Sequence, residues 1–71
     1  MKVKINNGII TDVQDIRVFY NEDCSKYGIQ TYGNLWGDCM GDRWQQVAYG
    51  DKTYTKYKKI AEKWLNNIII K

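Results

Sequence analysis

Histidine and proline are both absent from this 71-residue chain, and cysteine occurs only twice. Without histidine the chain lacks the usual general base near neutral pH, and neither a Ser-His nor a Cys-His pair can form. No GxxxxGK[ST] phosphate loop and no GxGxxG dinucleotide motif occurs. Carboxylate pairs such as Asp38 with Asp42 could do acid–base work, but their context does not indicate a pocket. We therefore predict that the protein is not an enzyme.

Long apolar runs are missing as well. The first residues include lysines but no apolar stretch of the roughly 7–15 residues that a signal peptide needs, and no run approaches the about 18 of a membrane span. These absences predict a cytoplasmic protein without a membrane partner. In a reducing compartment Cys24 and Cys39 are expected as free thiols, with a Cys24–Cys39 bridge as the alternative. Two cysteines leave a zinc site two ligands short, so no metal or cofactor is predicted.

Length and charge limit the kind of site that the chain can build. A domain this small buries only about 60% of the surface of its unfolded chain, which favours a shallow surface site over a deep cavity. The formal charge is +3. Residues 51–71 hold six lysines against two acidic residues and carry +4, whereas residues 1–50 sum to −1. This concentration of positive charge favours acidic partners.

Alternating side chains dominate the first half of the chain. Val3 and Ile5 alternate with lysines, as in a half-buried strand. Asn7-Gly8 is a preferred pair for a type I′ hairpin turn, so a second strand is expected over residues 9–13. Further alternation predicts a third strand over residues 16–20, followed by a polar turn.

Glycines and aromatic residues are mixed between residues 27 and 50. This mixture predicts short strands near residues 27–32 and 43–49, joined by tight turns. Residues 34–42 are expected to form a loop, with Leu35 and Trp36 tucked in at its start. The loop contains two Gly-Asp pairs, at residues 37–38 and 41–42, which fall well short of the about six oxygen ligands of a calcium loop and indicate turn chemistry.

A helical repeat of apolar residues predicts a helix over residues 52–69, with Asp51 as its N-cap. Its buried stripe comprises Tyr54, Tyr57, Ala61, Trp64 and Ile68. Tyr57 and Trp64 are expected in the core. The alternative is that the helix stops at Asn66-Asn67 and residues 68–70 form a short edge strand. The predicted fold class is α+β: a small antiparallel sheet of four or five strands packed against one C-terminal amphipathic helix.

Lysines recur on the other side of this predicted helix. We call the set the lysine ridge: Lys52, Lys56, Lys59 and Lys63. A solvated helix face would carry lysines for solubility alone, because lysine is a good helix former. Surfaces built for solubility more often mix the signs of charge, however, and only Glu62 interrupts this one. The ridge is therefore a candidate contact for an acidic protein surface or for phosphates.

Aromatic residues near the glycines provide the second candidate contact. Tyr32, Trp36 and Trp44 lie close to predicted turns, where rings often project into binding surfaces. The leading functional prediction is a small non-enzymatic binding protein, a stoichiometric regulator or inhibitor of the phage or mobile-element type. It would dock on a protein partner, including the class of proteins that handle nucleic acid, through the lysine ridge and these aromatics. Direct binding of single-stranded nucleic acid by the same residues is the alternative. Self-association as a homodimer is a third.

Overall fold

The computed structural model describes residues 1–34 and 41–71. Within these ranges five strands precede one helix. The strands are β1 Lys2–Ile5, β2 Ile9–Asp12, β3 Asp15–Asn21, β4 Lys26–Gly33 and β5 Arg43–Val47, and the helix is α1 Lys58–Ile68. The predicted α+β class with a C-terminal helix is confirmed, but the strands divide between two antiparallel sheets, β1-β2 and β3-β4-β5.

The first hairpin forms where the alternation predicts it, but its turn differs from the predicted one. Ile5 pairs with Ile9, so three residues rather than two connect the strands. Asn6 and Gly8 have positive φ angles of 53° and 96°, whereas a type I′ turn on Asn7-Gly8 needs a positive φ at Asn7 as well. Asn6 leaves the ladder because its N–H donates to the carbonyl oxygen of Ala48 at 2.7 Å. The turn is therefore set by a contact with a distant segment.

The three-stranded sheet follows the predicted strands closely. Strand β3 pairs along its whole length with β4, and β4 pairs with β5 from Ile29 to Gly33. Beyond β5, Thr55 returns to the same edge of β4 and exchanges two backbone hydrogen bonds with Tyr27, at 2.7 and 2.9 Å. Tyr49 and Lys52 likewise bond to each other across a tight turn that contains Gly50, whose φ is 64°. Residues 48–57 thus form turns and bridges.

These bridges correct the predicted start of the helix. Helix α1 begins at Lys58, six residues later than expected, and its N-cap is Tyr57, which makes no side-chain cap. Asp51 lies in the tight turn instead. The periodic pattern extends back to Tyr54, but the backbone groups of Thr55 pair with Tyr27 and are not available to a helix. Tyr57 has extended dihedrals and is 65% exposed, so its predicted place in the core is wrong.

The end of the helix combines the two predicted alternatives. The helix continues through Asn66 and Asn67 to Ile68, which is fully buried. Ile69 then forms an antiparallel bridge with Val3, and the N–H of Ile70 donates to the Lys2 carbonyl oxygen at 2.9 Å. The last residues therefore pair with the free edge of β1. The helical structure of residues 1–34 and 41–71 is neither long nor apolar enough to cross a membrane.

A single cluster of buried residues joins the two sheets to the helix. It consists of Val3, Ile5, Val13, Ile29, Val47, Ala61, Trp64 and Ile68. The helix supplies the last three of these, which confirms the predicted core position of Trp64. Because both sheets contribute to this cluster, the helix covers one face of β3-β4-β5 and leaves the other face turned away from it.

Candidate functional site

Strand register sorts the side chains of β3-β4-β5 onto two faces. Ile16 pairs with Thr31, and Val18 pairs with Ile29, on the face that meets the core. Successive side chains of a strand point to opposite faces, so the alternate residues lie on the other side. We call that side the outer face. Its central residues are Arg17, Phe19, Gln30, Tyr32, Trp44 and Gln46.

Arg17 and Trp44 form the centre of the outer face. The guanidinium carbon of Arg17 lies 3.9 Å from the centroid of the Trp44 ring, which is within the range of a cation–π contact. The Nε and NH2 groups of Arg17 donate to Gln30 Oε1 at 2.9 and 2.7 Å. Tyr32 meets Trp44 edge-on, with ring centroids 5.4 Å apart. These contacts restrain the Arg17 side chain and both rings.

Tyr54 and Phe19 form a second ring contact on the same face. Their centroids are 6.3 Å apart in an edge-on arrangement. The Tyr54 hydroxyl donates to Gln46 Oε1 and accepts from Asn21 Nδ2 at 2.9 Å. Tyr54 comes from the segment before the helix, so the expectation that it lies on the helical stripe is wrong. Its hydroxyl ties that segment to both β3 and β5.

Gly28 allows these rings to approach the sheet. A Cβ atom at this position would lie 2.9 Å from Phe19 Cε1 and 3.1 Å from Tyr54 Cδ1, and 3.2 Å from the Thr53 carbonyl oxygen. Real Cβ atoms essentially never come within 3.0 Å of another heavy atom. The missing side chain of Gly28 is therefore part of how the outer face is built.

Of the predicted aromatic site residues, two are brought together. Tyr32 and Trp44 are both partly exposed and in contact on the outer face. Trp36, together with the predicted packing of Leu35 and the string around Cys39, lies outside the described residues. Cys24 is an exposed free thiol in the turn between β3 and β4. Sequence reasoning missed Arg17, although the alternation of β3 already placed it opposite Ile16 and Val18.

The lysine ridge does not form one helical face. Lys59 and Lys63 are exposed on α1, but Lys52 and Lys56 precede the helix, in the segment whose backbone pairs with other parts of the chain. The prediction of a four-lysine ridge on a helix is therefore wrong. The prediction assumed that the helical period of the sequence begins at residue 52, whereas the backbone is helical only from Lys58 onward.

The remaining helical lysines point away from the outer face. At about 100° per residue, Lys59 and Lys63 lie about 170° and about 130° around the axis from the centre of the buried stripe of Ala61, Trp64 and Ile68. That stripe faces the sheet, and Tyr32 and Trp44 lie beyond the sheet. A compact partner that covers the outer face therefore does not contact Lys59 and Lys63 at the same time.

Within residues 1–34 and 41–71, no three Cys, Asp or Glu side chains are grouped so that they could hold a metal ion. Among the described residues, strand register places Arg17 at the centre of the outer face, with Asp15 and Lys26 toward its ends. Comparison of the chain with protein-family models, with curated proteins and with solved structures found no match.

Proposed function

We propose that the protein is a non-enzymatic binding protein that docks on another protein through its outer face, with Arg17 and Trp44 at the centre of the contact. The observation that carries this proposal is their stacked arrangement beside Tyr32 and Gln30 on the side of the sheet turned away from the helix. In this role the protein acts stoichiometrically, as a regulator or inhibitor of its partner, and needs no cofactor.

The types of side chain on the outer face and the contacts among them both favour a protein interface. Trp, Tyr and Arg are the side chains most enriched among the residues that dominate binding energy. Here they contact one another before any partner arrives, which reduces the side-chain freedom that is lost on binding. Gln30 and Gln46 add amide groups around the rings, which suits the polar rim of an interface.

Charge supports a protein partner over a nucleic acid on this face. Binding to single strands combines stacked rings with a positively charged groove that follows the phosphates. Strand register places Arg17 and Lys26 against Asp15 on the outer face, and the bridge between Tyr27 and Thr55 brings Lys56 to the edge of β4. Lys59 and Lys63 lie on the helix surface that is turned away from the sheet. The Arg17 guanidinium also covers one face of the Trp44 ring, where a base would stack.

The helical lysines contribute to the proposal in a different way. Exposed charges outside the contact mainly steer the approach of a partner and raise the association rate. The overall charge of +3 makes an acidic protein surface the favoured target. The proposal places both proteins in the cytoplasm, where the exposed thiol of Cys24 would stay reduced.

The test compares the partners that three immobilised proteins capture from a lysate: the parent chain, Trp44→Ala, and a Lys59→Gln/Lys63→Gln control. A protein that the parent and the lysine control retain and Trp44→Ala loses is then purified for affinity measurements. We expect Trp44→Ala and Arg17→Ala each to weaken binding by about 30-fold, the effect of about 2 kcal/mol. Circular dichroism checks that each variant is folded.

The salt dependence of the association rate separates the roles of the two surfaces. The lysine control should associate more slowly at low salt and dissociate at the parent rate. If Trp44→Ala keeps the partner while the lysine control loses it, the outer face is not the docking surface and the proposal fails.

Direct binding of single-stranded nucleic acid is the second candidate, and the exposed parts of Tyr32 and Trp44 are what favour it. A low-salt titration with fluorescent single-stranded and duplex oligonucleotides tests it. Binding that quenches tryptophan fluorescence, weakens steeply with salt and disappears in Trp44→Ala would establish this candidate. Unchanged fluorescence at micromolar protein would leave the protein interface as the function of the outer face.

A further inference from the structure

A cleft of about 620 Å³ lies away from the outer face, where the β1-β2 turn meets the turn between Tyr49 and Lys52. The last turn of the helix closes one side of it through Asn67. The volume lies within the range of about 300–1,000 Å³ that is typical of small-molecule sites. Two lysines and three asparagines line it: Lys4, Lys52, Asn6, Asn7 and Asn67.

Hydrogen bonds that involve the backbone connect the segments forming two walls of the cleft. On one side Ala48 N–H donates to Asn6 Oδ1 at 2.9 Å, while Asn6 N–H donates to the Ala48 carbonyl oxygen. On the other side Tyr49 and Lys52 exchange two backbone hydrogen bonds of 2.9 and 3.0 Å. The Tyr49 ring is itself held against Trp64, with centroids 6.2 Å apart. The cleft therefore has fixed walls rather than loose loops around it.

The side chains that line the cleft carry donor groups on both lysines and all three asparagines, and acceptor oxygens on Asn7, Asn67 and Asp51. Asn6 Oδ1 is already occupied, which leaves the Asn6 amide nitrogen as a donor. Within residues 1–34 and 41–71 this amide nitrogen has no hydrogen-bond partner. The same is true of the side-chain amides of Asn7 and Asn67, and the ammonium groups of Lys4 and Lys52 have neither a hydrogen-bond nor an ion-pair partner there. Among the described residues that line the cleft Asp51 is the single carboxylate, so these residues together carry a charge of +1.

We propose that this cleft binds a small phosphomonoester whose organic group contains a ring and is about the size of a nucleoside. The phosphate oxygens accept from Lys4, Lys52 and the asparagine amides, which are donors without acceptors of their own. The half-buried Tyr49 ring supplies a flat apolar wall for the rest of the ligand. The site is separate from the outer face, and the proposed docking function does not depend on it.

Nuclear magnetic resonance titration of the ¹⁵N-labelled protein tests the site with three probes: inorganic phosphate, adenosine 5′-monophosphate and adenosine. We expect saturable shifts of the Asn7, Gly8 and Asp51 amides with both phosphate probes, tighter for the nucleotide and with dissociation constants of about 0.1–5 mM at low salt. Adenosine alone should cause no saturable shift at these amides.

Charge-changing variants show whether positive charge in the cleft strengthens nucleotide binding. Lys4→Gln and Lys52→Gln should each weaken nucleotide binding by about 3- to 10-fold, and Asp51→Asn should tighten it by about 3-fold. Lys59→Gln and Lys63→Gln remove equal charge from the helix surface outside the cleft and should leave the affinity within about 2-fold.

Three results would overturn the inference. One is the absence of saturable shifts with either phosphate probe at about 20 mM, well above the expected dissociation constants. Another is an equal loss of affinity in the helical controls, which would show unspecific attraction of anions. The third is equal affinity for adenosine and its monophosphate, which would remove the phosphate from recognition. Capture of a partner by the outer face is measured separately, so either proposal can fail alone.

Discussion

The two faces of the β3-β4-β5 sheet are built from the same three strands and carry different chemistry. The inner face presents Ile16, Val18, Ile29 and Val47 to the core. The outer face presents rings, amides and one guanidinium, and its central residues are exposed or half-buried. Short aliphatic side chains let a helix pack closely on a sheet, whereas rings with polar tips can cover a sheet and still contact water.

This difference shows how a small domain can separate stability from recognition. The inner face gains its free energy from burial against the helix and the first hairpin. The outer face is held by contacts among its own side chains, as with Arg17 on Trp44. Changes on the inner face should therefore act mainly on folding, and changes on the outer face mainly on binding.

The largest effect is expected from Ile29→Ala on the inner face. Ile29 is 1% exposed, and its truncation should lower the free energy of unfolding by about 2–4 kcal/mol through lost burial and an unfilled cavity. Urea denaturation followed by tryptophan fluorescence measures this. Ile10→Ala is the matched control, since Ile10 is 61% exposed on β2 and should change stability by less than about 0.5 kcal/mol. Equal effects would contradict the assigned core.

Gly28→Ala is expected to be an exception to the rule that changes on the outer face act mainly on binding, because this position affects stability. The added methyl group would meet the Phe19 and Tyr54 rings and the Thr53 carbonyl oxygen, so we expect a loss of about 1–3 kcal/mol. The same change in a Phe19→Ala background should cost less, because the nearest contact is then gone. An equal cost in both backgrounds would mean that the ring of Phe19 does not limit this site.

Thr31→Val tests the one polar residue among the buried residues of the described ranges. The Thr31 hydroxyl is fully buried on the inner face and has no hydrogen-bond partner within residues 1–34 and 41–71. Replacing it with a methyl group of similar volume should raise the free energy of unfolding by about 1 kcal/mol. Thr55→Val is the control, because Thr55 Oγ1 accepts from Tyr57 N–H, and it should destabilise. A loss of stability in Thr31→Val would mean that the hydroxyl has a partner.

The smallest effect is expected from the contact between Arg17 and Trp44. A double-mutant cycle with Arg17→Met and Trp44→Leu should give a coupling free energy of about 0.5–1 kcal/mol. A cycle of Arg17→Met with Tyr20→Leu, on the opposite face of the same strand, should give none. Coupling of similar size in both cycles would show that the two faces are not independent.

Side-chain alternation was sufficient to predict much of the sheet. It located β1 and β3 to within about two residues, because a strand that is buried on one side must alternate. The mixture of glycines and aromatic residues located β4 equally well, and the nearby turns were the reason for placing Tyr32 and Trp44 near a surface. Alternation also contained the signal for Arg17. What it could not show is that Tyr32, Trp44 and Arg17 are neighbours, since that depends on the register between strands.

The sequence by itself determined the α+β class, the amphipathic helix around Ala61, Trp64 and Ile68, and the excess of positive charge in the last third of the chain. Only the tertiary structure decided where that helix begins. Lysines and tyrosines at helical spacing allow a helix from residue 52, but Thr55 pairs with Tyr27 on the edge of β4 and the backbone there can satisfy only one partner. That long-range hydrogen bond divided the lysine ridge and brought Tyr54 to the outer face.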